Sequence, residues 1–65
     1  MTLLVNGEKR EVTARDIPEL LVVLGLPPAV SLVEHNGTAL RRDEWPERDL
    51  RDGDRLEIIR IVAGG

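Results

Sequence analysis

The sequence closes on Ala63-Gly64-Gly65, directly after an apolar run from Leu56 to Val62. A carboxylate on Gly65 is the group most suited to covalent chemistry. Glycine has no side chain to shield its carboxyl carbon, and it accepts backbone conformations closed to other residues. Gly64 keeps the approach narrow, so the pair is able to thread a cleft in another enzyme. An α-carboxyl group titrates at about 3.3–3.7 and is anionic at neutral pH. It is therefore a poor electrophile, because attack adds charge to an anion. Conversion to an acyl-adenylate or similar mixed anhydride removes that barrier. The activated carbonyl can then accept sulfur, giving a thiocarboxylate, or an amine, giving an isopeptide bond. A frayed terminus without function is the alternative reading.

Side-chain catalysis has little to draw on. Cysteine is absent and His35 is the only histidine. His35 stands before Asn36-Gly37, where a polar residue flanking a turn is the ordinary explanation. The carboxylates are spread over turns and charged faces without metal-ligand spacing. No phosphate-binding G-x-x-x-x-G-K-[ST] loop is present, so the chain is expected to bind no cofactor itself. Asp52-Gly53-Asp54 lacks the twelve-residue ligand pattern of a calcium loop and reads as a turn. Trp45, the only aromatic residue, is expected to seal one end of the core with its indole N–H on a carbonyl or water. Arg41 and Arg42 are expected to be solvated.

Composition narrows the class. Sixty-five residues make one small domain, 1–65, with residues 63–65 expected as a flexible tail. Such a chain buries only about 60% of the surface its unfolded form exposes. The core must be aliphatic, since Phe and Tyr are absent. A net charge of −3 and the lack of a stacking platform argue against nucleic acid as a partner. No apolar run approaches the length of a membrane span, and the N-terminus lacks a basic region leading into an apolar one. With no cysteine to oxidise, the expectation is a soluble cytoplasmic protein.

The elements that must carry the tail follow from periodicity. Thr2 to Val5 reads as a strand, Asn6-Gly7 as a tight hairpin turn, and Lys9 to Thr13 as the returning strand. Asp16 is a helix N-cap with Glu19 at capping-box spacing and Pro18 in the first turn. Ile17, Leu20, Leu21 and Leu24 then form one apolar face, closed by Gly25 and Pro27-Pro28. Ala29 to Glu34 reads as a third strand, Asn36-Gly37 as a second turn and Thr38 to Leu40 as a short return. A charged connection, Arg41 to Arg51, leads to the last strand, Arg55 to Val62. The order β-β-α-β-β-β gives an α+β chain of the β-grasp (ubiquitin-like) type: a mixed sheet of about five strands covered by one main helix. The first and last strands would pair in parallel at the centre, which requires the long helical crossover. Alternation along the last strand turns Leu56 and Ile58 inward and Ile59 and Ile61 outward. Exposed aliphatics beside a reactive tail mark Ile59 and Ile61 as candidate partner-docking residues.

Two internal motifs join the tail. Asn36-Gly37 through Leu40-Arg41-Arg42 to Trp45 is similar to the pattern N-G-x-x-V-P-R-x-x-W. Leu50 to Ile58 is similar to L-x-D-G-D-x-x-E-I. Together with the terminal Gly-Gly and the opening strand–Asn-Gly–strand, these resemble the ThiS family of sulfur carriers over essentially the whole chain. Arg41 stands where that family usually has proline, Leu40 where it has valine, and Ala63 where a third glycine is common.

The resemblance implies a carrier and co-substrate of other enzymes, not an enzyme. A ThiF-type adenylyltransferase, using ATP and magnesium, would adenylate Gly65. A sulfur donor such as a cysteine desulfurase or rhodanese would displace AMP and leave a thiocarboxylate, 1-thioglycine. A ThiG-type thiazole synthase would take the sulfur into the thiazole of thiamine. Related β-grasp carriers serve molybdopterin synthesis, cysteine synthesis or tRNA thiolation by the same terminal chemistry, and ubiquitin-like modifiers form isopeptides. The N-G…R-x-x-W pattern favours the thiamine branch.

Overall fold

A computed structural model describes residues 1–62. Gly64 and Gly65, and the flexible tail expected over 63–65, lie outside the described residues. Among those described, β1 (Thr2–Val5), β2 (Glu8–Glu11), α1 (Ile17–Leu24), β3 (Ser31–His35), β4 (Thr38–Leu40) and β5 (Arg55–Arg60) follow one another in chain order. Short 3-10 turns occupy Pro28–Val30 and Arg42–Glu47.

The sheet order is β2-β1-β5-β3-β4. β1 and β5 pair in parallel at the centre, with Val5 beside Leu56. The remaining neighbours are antiparallel. Because β1 and β5 run in the same direction, the chain between them must cross over, and α1 lies in that crossover. This is the β-grasp architecture.

Local chemistry explains α1. The Asp16 side chain accepts the Glu19 backbone N–H at 3.0 Å, as an N-cap should. Glu19 reaches back one residue further than expected, accepting the Arg15 backbone N–H at 3.1 Å. Gly25 ends the helix at φ 72°, and Leu26 N–H donates to Leu21 O at 2.9 Å, a Schellman closure that needs a left-handed residue. Ile17, Leu20 and Leu21 are fully buried, while Leu24 is only half-buried at the rim. These side chains meet Leu3, Val5, Val33, Leu56 and Ile58 from the inner sheet face, with Trp45 and Leu50 closing the core.

Three strands differ in their bounds from the sequence expectation. β2 begins at Glu8 and stops at Glu11. Val12 is then turned into the core and donates its N–H to Met1 O at 2.9 Å. Ala29 and Val30 belong to a 3-10 turn and not to the third strand. The fixed φ of Pro27-Pro28 favours that turn, and the Ser31 hydroxyl closes it by donating to Pro27 O at 2.7 Å. β5 stops at Arg60, although Ile61 N–H still donates to Val30 O at 2.6 Å.

Candidate functional site

β5 is the strand that leads to the tail, and both Asn-Gly turns hold it. Asn6 and Asn36 adopt φ of 51° and 50°, followed by Gly7 at 82° and Gly37 at 86°. Asn tolerates this left-handed region better than most side-chain-bearing residues, and glycine accepts it freely. The turns thereby leave each carboxamide pointing at β5. Leu4 N–H and Asn6 N–H donate to Asp54 O and Leu56 O, both at 2.9 Å. The main chain then turns away at Asn6-Gly7. The Asn6 side chain supplies the next rung in its place: Ile58 N–H donates to Asn6 Oδ1 at 2.7 Å, and Asn6 Nδ2 donates to Ile58 O at 3.1 Å. On the opposite side, Asn36 Oδ1 accepts Arg55 N–H at 2.8 Å.

His35 and Asp54 form a second clamp where β5 begins. His35 is buried at the end of β3. Its Nε2 lies 2.8 Å from Asp54 Oδ2. A carboxylate can only accept, so Nε2 carries the proton in that contact. Asp54 also accepts from Asn36 Nδ2 at 3.1 Å and from Arg51 N–H at 2.9 Å. Burial pushes the Asp54 carboxyl up, but hydrogen bonds from His35, Asn36 and the Arg51 backbone together outweigh it and hold the group below its ordinary value. The ordinary turn read for Asp52-Gly53-Asp54 is therefore also the anchor for His35, which the sequence left as a turn-flanking residue.

Trp45 is buried in the core as expected, and its indole N–H meets no protein acceptor among the described residues. Arg42 is not simply solvated. Its guanidinium lies 5.3 Å from the Trp45 ring centroid, and Nη2 donates to Ala29 O at 3.1 Å. The pair pins the charged connection to the turn before β3. Arg41 stays exposed beside Asp43 at 3.2 Å. Among the described residues, no group of three or more His, Asp or Glu side chains is placed to hold a metal ion.

The outer face of the sheet is the remaining surface of note. Leu56 and Ile58 point inward, while Ile59 and Ile61 are 56% and 46% exposed. The β3–β5 register sets Leu32 directly beside Ile59, and Leu32 is itself 52% exposed. Sequence reasoning missed Leu32, although its alternation with the buried Val33 carried the signal. Leu32 on β3 and Ile59 on β5 thus stand side by side, with Ile61 just beyond the end of β5.

Comparison with known proteins agrees with this geometry. The ThiS family model matches residues 3–65. The sulfur carrier protein ThiS of Thermus thermophilus is 34% identical over 61 residues, covering 94% of this chain and 95% of that protein. A thiazole synthase of Paramagnetospirillum magneticum is 33% identical over 66 residues. That match covers 100% of this chain but 20% of the synthase, so the chain spans about a fifth of that relative. A crystal structure of the thiamine biosynthesis protein ThiS from Geobacter metallireducens superposes with a TM-score of 0.83, at 33% identity and with 100% of both chains covered.

Proposed function

Because the chain belongs to the ThiS family, we propose that it is a sulfur carrier for thiazole formation in thiamine biosynthesis. One observation carries this reading: the family match runs from residue 3 through residue 65, so the domain and its Gly64-Gly65 ending correspond together. The chain is a co-substrate and not a catalyst. That its only histidine is committed to a buried contact with Asp54 supports this division of labour.

The Gly65 carboxylate attacks the α-phosphorus of ATP on a ThiF-type adenylyltransferase, and pyrophosphate leaves. Magnesium and the phosphate-binding groups belong to that partner. A persulfide on a cysteine desulfurase or rhodanese then attacks the acyl carbon and expels AMP. A second thiol takes the donor's own sulfur into a disulfide, freeing the Gly65 thiocarboxylate. A ThiG-type thiazole synthase accepts that sulfur. The occurrence of a segment like this chain within a thiazole synthase supports such an acceptor over molybdopterin, cysteine or tRNA routes. Ile59 and Ile61, with Leu32 beside them, form the docking face, and Gly64 gives the tail access to the partner's cleft. A cytoplasmic setting suits a step that draws on ATP and persulfides.

Deletion of Gly65 tests the role of the terminus. Pyrophosphate release with the activating enzyme should vanish while thermal stability stays unchanged. Pyrophosphate release from the truncated chain at the wild-type rate would show that the reacting carboxylate need not stand at residue 65.

A further inference from the structure

The β3–β5 register places Glu34 directly opposite Glu57. Both carboxylates are exposed on the outer sheet face. Like charges opposed across an antiparallel pair destabilise a sheet. Among the described residues neither makes an ion pair within 4.0 Å. Arg55 shares a neighbouring groove with them without closing to that distance. The two carboxylates stand at the rim of a hollow of about 140 Å³ whose apolar walls include Leu32, Ala39 and Ile59.

We propose that this hollow receives an arginine side chain of the partner protein. The aliphatic stem would lie on Leu32, Ala39 and Ile59, as long cationic side chains lie on apolar surface. The planar guanidinium would bridge Glu34 and Glu57, for which its forked donors suit it better than a lysine ammonium. Charge complementarity selects this occupant: an apolar peptide segment would leave two opposed carboxylates desolvated beside it, whereas a guanidinium removes their repulsion. The inference rests on the docking face proposed above and names the chemistry that face recognises.

The double variant E34Q/E57Q tests it in two ways. It keeps side-chain volume and removes the repulsion, so its Tm should equal or exceed that of the wild type. In adenylation by the ThiF-type enzyme, its KM should rise at least tenfold with kcat unchanged, and the salt dependence of kcat/KM should flatten. An unaltered KM and salt slope overturn the proposal. The second measurement needs no enzyme, so it stands even if Gly65 is never adenylated. Titration of the 15N-labelled protein with N-acetyl-arginine amide should shift the Leu32, Glu34, Ala39, Glu57 and Ile59 amides, and E34Q/E57Q should abolish those shifts. Shifts elsewhere, shifts that survive in the variant, or equal shifts with N-acetyl-norleucine amide also overturn it.

Discussion

The Asn6 carboxamide engages both backbone groups of Ile58, at 2.7 and 3.1 Å, and so extends the central parallel ladder past the point where β1 ends. Fifty-two positions separate the two residues. The contact ties the first turn of the chain to the strand that leads toward Gly65.

Replacement of Asn6 by glycine keeps the positive φ and removes the amide, while adding some unfolded-state entropy. Two hydrogen bonds disappear, so the loss of stability is expected at about 1–3 kcal/mol. Hydrogen exchange of the Ile58 amide should accelerate more than exchange of the Leu56 amide. Unchanged protection of Ile58 would show that the rung contributes nothing.

The Asp54 cluster makes stability pH-dependent with a defined sign. Its carboxyl sits below the ordinary value in the folded protein and near about 3.9 in the unfolded chain. The unfolded state therefore takes up its proton first. The stabilisation is present above pH ~4 and is lost as pH falls through the folded pKa. The D54N variant is expected to lose about 1–3 kcal/mol at pH 7 and to show a flatter acid limb in denaturant titrations. Parallel acid limbs for D54N and wild type would contradict the assignment.

Ile59 and Ile61 are half-exposed, so their replacement by serine should cost the isolated domain little, within about 1 kcal/mol. Docking would bury the remaining apolar surface, worth about 1 kcal/mol per side chain. The double substitution should therefore raise KM for adenylation roughly tenfold or more. Wild-type KM in I59S/I61S would move the docking face elsewhere.

Much of the frame was legible because its signals are local. Asp16, Pro18 and Gly25 each act within one turn of α1, and the Asn-Gly dipeptides define both tight turns by their φ preference. Alternation along β5 separated Leu56 and Ile58 from Ile59 and Ile61. The side-chain clamps were not legible, because each joins residues distant in sequence: His35 and Asp54 are 19 positions apart, and Asn6 and Ile58 are 52. Asp54 looked like half of a turn motif, and only the register of β3 on β5 brings the imidazole to it. The same register exposes the Glu34–Glu57 opposition, which neither strand shows by itself. The start of β3 was misread because Pro28 is compatible with both an extended segment and a 3-10 turn. The hydrogen bond from Ser31 decides between them.

The central claim is that Gly65 carries sulfur. The most direct measurement is the intact mass of the protein after incubation with a ThiF-type enzyme, ATP, magnesium, a persulfide donor and a reducing thiol. The account predicts a gain equal to the exchange of one oxygen for sulfur, located to Gly65 by fragmentation and absent when ATP is omitted. An unchanged mass under conditions that convert a control carrier would contradict it.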